Sequence, residues 1–294
     1  MRPRRGFVLL LVLVMIALAA LLTASVARRS LVLAVDGAKA QEDLQRRWGA
    51  ISCRQAVLQR AEILFRKREL GQRPDRPLPP QMTTSILLGN VRFDLLLCDE
   101  QAKLNLNTVF AKREARGVEQ TLFETSGSAT YALVTELCPH PDAAPNLPYP
   151  PAFDSWGQVF SYQLSHDPSG EQSLPRGIAE ATAAVTCWGD GRLSIRRADP
   201  TTLRMACELV VSAETARQVV ETRAKNPDWN LENLLAGIDL RRKEQQDLSR
   251  WLTDRSTCHA LWIIMGEGSR QWAQLDVSQS AGQGDRPQIT TFYW

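Results

Sequence analysis

Residues 4–22 read RRGFVLLLVLVMIALAALL. The fold class turns on how far this apolar stretch extends and on the pattern of residues beyond it. Residues 7–26 carry no charge. As a helix rising about 1.5 Å per residue they reach roughly 30 Å, the thickness of a bilayer's hydrocarbon core. A cleavable secretory signal has a shorter apolar core closed by small residues. Residues 23–27, TASVA, are mostly small, so that cleavage stands as an alternative. Arg2, Arg4 and Arg5 precede the span, and Arg28 and Arg29 come directly after it. Basic residues at both ends leave only a slight bias towards a cytoplasmic N-terminus.

The helical pattern continues past Arg29. No proline occurs between Pro3 and Pro74. Leu44, Trp48, Ile51, Leu58 and Phe65 recur at spacings of 4, 3, 7 and 7, and Val57, Ala61 and Leu64 widen the stripe. Such spacing puts them on one helix face. Gly37 and Gly49 weaken the helix by about 1 kcal/mol each. Gly71, with Pro74 three residues on, supplies a stop. The pattern predicts one long helix over 7–71, its first half in lipid and its second packed on a domain.

The 294 residues suffice for one or two domains with a core. Hydrophobic content of 44% and charged content of 23% are ordinary, and a net charge of +3 points to neither nucleic acid nor an acidic partner. Cys53, Cys98, Cys138, Cys187, Cys207 and Cys258 lie far apart, none as CxxC. With only His140, His166 and His259 there is no zinc pattern. The thiols either stay free and buried or, in an exported body, pair in part.

Four prolines in 72–81 make a break. MTTSILLG and VRFDLLLC then read as a hairpin about Gly89-Asn90. The segment from Cys98, CDEQAKLNLNTVF, has an echo from Cys187, CWGDGRLSIRRAD. Each reads as strand, turn and short strand, with the short strands at 104–107 and 193–196. Residues 138–151, CPHPDAAPNLPYPP, are a surface loop on proline content alone. After a short ordered stretch (153–164) and a polar loop, Asp199-Pro200 opens a helix with inner face Leu203, Ala206, Cys207 and Val210. Three more helices come after it: from Ser212 to Asn226, around Leu231, Leu234 and Leu235, and through RRKEQQDLSRWL. ALWIIM, RQWAQLDV and RPQITTFYW close the chain as strands. The order strands, helices, strands predicts an α+β fold: a long N-terminal helix packed on an antiparallel sheet, with a large, mainly helical insert. The expected parts are a leader (1–6), the helix (7–71), a sheet domain (72–103 and 256–294) and the insert (104–255).

No catalytic constellation stands out. There is no GxSxG elbow. His140 and His166 lie in loops, and the acids Asp99, Glu100 and Asp190 sit in turns, where acids serve local hydrogen bonds. LENLLAGIDLRRKEQQ looks like half of a helix-hairpin-helix, a phosphate-binding module. Asp239 stands where such a turn needs a backbone open to phosphate, so helix packing is the better reading and no nucleic acid is expected.

A basic leader ending in Gly6, then Phe7 and an apolar helix, resembles a type IV pilin-like signal. DEQAKLNLNTV and WGDGRLSIRRADPTTLRMA resemble two segments of the minor pseudopilin K family of type II secretion, and ETARQVVETR, WNLENLLAGI, SRWLTDRS and the terminal TFYW come in that family's order. Gln101-Ala102, Ser194 and Arg196 depart from the pattern. The resemblance implies a non-enzymatic pseudopilin in the inner membrane with its body in the periplasm. A prepilin peptidase would cut between Gly6 and Phe7 and Phe7 would be N-methylated. Leu11, Val14, Leu18 and Leu22 would pack in membrane and fibre. Leu44, Trp48, Ile51, Leu58 and Phe65 would meet partner helices of the I- and J-type minor pseudopilins and the major pseudopilin. Leu11 stands where most of the family carry glutamate, a loss that a tip subunit tolerates, since no neighbour's amine lies ahead of it. Some family members bind calcium; no ligands are assigned here, and no other cofactor is expected. The alternatives are a DNA-uptake or adhesive fibre tip, and a signal-anchored extracytoplasmic enzyme.

Overall fold

The computed structural model describes residues 5–71, 78–89, 91–126, 133–144, 150–162, 178–179, 181–266, 272–280 and 287–293. They fall into two compact units, Met1–Gly49 and Ala50–Trp294. Helix α1 (Arg5–Val57) supplies the described part of the first and enters the second with its last residues. In the first unit residues 9–45 are all exposed. Gly37 does not interrupt the helix. Arg46 meets Glu42 at 3.2 Å and Asp43 at 3.3 Å, one turn back, the acid-before-base order that suits a helix.

The second unit is built on a five-stranded antiparallel sheet, β1 (Gln81–Leu88), β2 (Val91–Asp99), β9 (Cys258–Met265), β10 (Trp272–Gln279) and β11 (Gln288–Tyr293), in that spatial order. The predicted hairpin is β1–β2, with Leu88 opposite Val91. Side chains alternate across the sheet. Phe93, Leu95 and Leu97 of β2 stand opposite Met265, Ile263 and Leu261 of β9. On that face they pack with Ala50, Cys53, Val57, Leu58, Ala61 and Phe65. Cys98, Ala260, Trp262, Leu275 and Val277 occupy the other face and join the core of the insert. Strand β9 is therefore covered on both sides. That is why it reads CHALWIIM, an apolar run without alternation, and is buried at every position.

The helix expected over 7–71 is present as a helical run to Leu70, tightened in one turn. Helix α1 ends at Val57, a 3₁₀ turn occupies Leu58–Arg60, and α2 covers Ala61–Leu70. The expected stripe shifts accordingly. Leu58 and Phe65 are 3% and 1% exposed, whereas Leu44 and Trp48 are 56% and 62% exposed and Ile51 is half-buried. Large residues set the expected face. Small ones, Ala50, Cys53 and Ala61, set the real one, because they let the helix approach the sheet closely. The tight turn then brings Val57 and Leu58 both inward.

The insert leaves at the end of β2 and returns at β9. The Cys98 segment passes through a 3₁₀ turn (Glu100–Ala102) into β3 (Leu104–Asn105), and the Cys187 segment links β6 (Val185–Thr186) to β7 (Leu193–Ser194). The short strands do not fold back as hairpins. β3 pairs in parallel with β6, and β7 with β8 (Leu252–Thr253). The strand predicted for 104–107 stops at Asn105, and helix α3 (Leu106–Ser126) begins, with a break at Glu114, whose φ is 55°. Asn105 causes the switch: its side chain accepts the backbone N–H of Asn107 (2.9 Å) and Thr108 (3.2 Å), as a helix cap does. Two further strands, β4 (Leu133–Thr135) and β5 (Phe160–Tyr162), pair antiparallel.

The four later helices stand where expected: α4 (Pro200–Cys207), α5 (Ala213–Lys225), α6 (Leu231–Ala236) and α7 (Arg242–Trp251). Asp199, Ser212 and Asn230 cap the first three through their side chains. Val210 lies beyond the end of α4. The described parts of the Pro-rich loop hold neither helix nor strand. Residues 145–149 and the expected loop at 165–177 lie outside the described residues. The architecture is α+β.

The unequal burial predicts unequal costs. Phe65→Ala should destabilise the protein by about 3–5 kcal/mol, and Trp48→Ala by no more than about 0.5 kcal/mol. Denaturant unfolding of the full chain in detergent, monitored by near-ultraviolet circular dichroism, checks both. Equal losses would return Trp48 to the packed face.

Candidate assembly interface

The expected site residues do not share one surface. Gly6 and Phe7 lie in the first turns of α1, and their side chains lie outside the described residues. Leu11, Val14, Leu18 and Leu22 are exposed along α1, as are Leu44 and Trp48. Among the described residues, α1 carries the one stretch long and apolar enough to cross a membrane. Leu58 and Phe65 are consumed inside the body, so a partner meets neither without unfolding. The longest continuous exposed apolar stretch among the described residues is thus 9–35, with Leu44 and Trp48 exposed further along α1.

Behind Phe65 lies a cluster that sequence reasoning missed. Arg197, 3% exposed, lies just past β7. Its Nη1 donates to Glu62 Oε2 at 2.9 Å and to Asp99 Oδ2 at 2.8 Å, and its Nε donates to Glu69 Oε1 at 2.7 Å. Arg196 reaches the other Glu69 oxygen at 3.1 Å. The Arg197 guanidinium lies 4.7 Å from the Phe65 ring centre. On the same ring His259 stacks at 5.8 Å, with Nε2 3.6 Å from Glu62 Oε2. Ser256 Oγ donates to Asp99 Oδ1 at 2.5 Å. His259 is thus a strand residue packed on the helix that carries Phe65.

Burial alone would push the Glu62 carboxyl up. The adjacent His259 imidazole, hydrogen bonds from Arg197, the Arg197 charge and a bond from Arg66 overcome it and hold Glu62 well below the usual carboxylate range. Burial likewise works against the Arg197 charge, and Glu62 and Asp99 more than restore it.

A second buried pair sits at the start of the insert. Lys103 Nζ and Glu100 Oε1 are 2.7 Å apart, both almost fully buried. Burial pulls the Lys103 ammonium down, but Cys98 and Glu100 more than offset it, and the net shift is upward. Beside it the two echoing segments are laced together. Gln101 Nε2 donates to Asp190 Oδ1 at 2.6 Å, and Asn105 Nδ2 to the Trp188 carbonyl at 2.8 Å. Asn107 Nδ2 donates to the carbonyls of Cys187 (2.8 Å) and Phe153 (2.9 Å), while its Oδ1 accepts from Phe153 N at 2.7 Å. Gly191, with φ of 81°, comes so close that an added Cβ would stand 2.9 Å from Thr108 Oγ1.

A cavity of about 690 Å³ opens over this lacing, between Phe110, Lys112, Pro151, Asp154, Trp188 and Trp251. Asn105, Asn107 and Asp190 line it, but their polar atoms are spent on the lacing and on Arg192. No group of three metal-ligating side chains occurs among the described residues. The cysteines are unbonded, five buried and Cys138 exposed. Burial pushes the thiol of Cys53 up to about 11 and those of Cys98 and Cys207 up to about 12, which removes the thiolate that cysteine chemistry requires. In the suspected DNA-binding turn, Gly237 sits so near the Trp229 ring that a Cβ would stand 2.6 Å from it. That glycine serves packing between the turn and an indole.

The chain is similar to a chain of the GspK-GspI-GspJ complex of the enterotoxigenic Escherichia coli type 2 secretion system. The likeness covers 87% of this chain and 98% of that one, at 13% identity and a TM-score of 0.49. No family model and no curated protein matches the sequence.

The cluster yields two expectations. Arg197→Ala strands the fully buried Asp99 beside Glu69 and should cost about 3–5 kcal/mol; Arg197→Lys, which keeps charge but loses the fork, should recover only part. A loss under about 1 kcal/mol for Arg197→Ala would show the cluster to be inconsequential. For pH, the depressed Glu62 stabilises the fold fully above the unfolded carboxyl value of about 4.3. That contribution drains away as pH falls below it. Thermal midpoints measured between about pH 3 and 7 should therefore drop on the acid side, and less steeply in Glu62→Gln.

Proposed function

We propose that this protein is a minor pseudopilin of a type II secretion system, anchored in the inner membrane with its body in the periplasm and placed at the tip of the pseudopilus. One observation carries the reading: a helix-backed antiparallel sheet is interrupted between its adjacent strands β2 and β9 by a mainly helical insert. Both ends of the insert meet at one end of the sheet, and its core packs on the sheet face opposite α2; a body enlarged in this way supports a place at the tip. The exposed apolar stretch of α1 and the leader ending in Gly6-Phe7 support storage in a membrane and release by a prepilin peptidase.

The protein's work is then assembly. The apolar span leaves lipid for a fibre, where helices of the I- and J-type minor pseudopilins and of the major pseudopilin replace the acyl chains around Leu11, Val14, Leu18 and Leu22. Leu44 and Trp48, both exposed, add to that contact. Leu11 puts no acid in the span and so requires no partner amine in lipid.

Mass spectrometry of the mature N-terminus tests the proposal. A chain beginning at methylated Phe7 is the expected result. An intact Met1, or a cut near Ala27, would overturn the pilin-like reading.

A further inference from the structure

Arginines and apolar residues are arranged oddly just beyond the span. The first acidic residue of the chain is Asp36, and Arg2, Arg4, Arg5, Arg28 and Arg29 all precede it. Arg28 and Arg29 do not end the apolar run. Leu31, Val32, Leu33 and Val35 come after them, all exposed. Among the described residues no carboxylate comes within ion-pair reach of either arginine.

We propose that Arg28 and Arg29 bind the phosphates of anionic phospholipids at the bilayer rim, with Leu31, Val32, Leu33 and Val35 embedded in the headgroup layer beside them. This rests on the reading of 7–26 as a membrane span. Dimensions support it. At 1.5 Å per residue, 7–35 extends about 43 Å, matching a bilayer with its headgroup zones at about 40–45 Å. Arg28 then stands about 32 Å from Phe7, where a core of about 30 Å ends. The aliphatic stems lie back over the apolar turn before them, while the guanidinium forks take phosphate oxygens bidentately. Lipid is the better source of that phosphate than a free anion. A free anion is held by unpaired backbone N–H groups at a helix start. Here the arginines sit inside α1, where the backbone is already paired, and their neighbours are apolar.

The test uses the full chain in vesicles, with Cys138→Ser and a fluorophore on Leu33→Cys. Quenching by brominated phosphatidylglycerol is compared with quenching by brominated phosphatidylcholine. The expected result is an apparent preference of about fivefold or more for the anionic lipid. It should fall to near one in R28Q/R29Q, persist in part in R28K/R29K, and survive excess inorganic phosphate at constant ionic strength. Equal quenching by both lipids, a preference indifferent to R28Q/R29Q, or loss to inorganic phosphate would overturn the proposal. So would absence of any lipid quenching at position 33, which would mean that water or protein covers this surface. A second label on Val14→Cys separates the two readings. Unquenched there, the membrane span itself fails. Quenched there without preference at position 33, only the headgroup site fails.

Discussion

The body depends on one buried cation. Arg197 comes from the insert, yet its partners are Glu62 and Glu69 on the helix and Asp99 at the end of a central strand. These contacts bridge sequence separations of 135, 128 and 98 residues. No local propensity could bring them together. A buried ion cluster adds little net stability compared with an apolar substitute. It penalises misplacement heavily, however, because each carboxylate left without its partner pays its full desolvation. The cluster therefore acts most as a register pin. It seats the helix on the sheet and ties the insert to both.

The same logic explains how a long insert is held at one sheet end. Asn105 starts α3 and ties it to the Trp188 carbonyl. Asn107 binds the backbone at both Phe153 and Cys187. An amide side chain offers donors and an acceptor together, so one residue joins three strands of chain that lack a common ladder. The buried Lys103–Glu100 pair sits directly before them. The insert is thus fixed by side-chain-to-backbone bonds near its entrance. Its helices pack further out on an ordinary apolar core.

Much of this was legible in the sequence, for identifiable reasons. The apolar first helix, the β1–β2 hairpin, the caps at Asp199 and Ser212 and the apolar strand β9 are written in local patterns of charge, period and turn residue. The helix stripe was misplaced because bulky side chains mark a face more loudly than alanines do, although Ala50 and Ala61 decide how closely the backbone approaches. Asn105 looked like part of a strand because alternation at 104–107 imitates one; the cap bond that ends it is not a compositional signal. A clue to Arg197 was present and unread. Glu62 and Glu69 flank Phe65 at helical spacing of three and four, so two acids share the apolar face. Such acids require a cation from elsewhere in the chain.

The polar groups also bear on what kind of work this body does. A site that binds a small polar molecule keeps donors and acceptors free towards its cavity. Here the cavity's asparagines and Asp190 are engaged with their own chain, while Lys112 and Asp154 line it as well. The buried atoms left without partners include Glu100 Oε2 and His259 Nε2. Both belong to the ion clusters that fasten elements together. The surface with unmet demand is instead apolar and outside: the first unit's helix, whose side chains over 9–45 are all exposed. A helix that presents an uninterrupted apolar surface over 9–22 is suited to contact with lipid or with other helices.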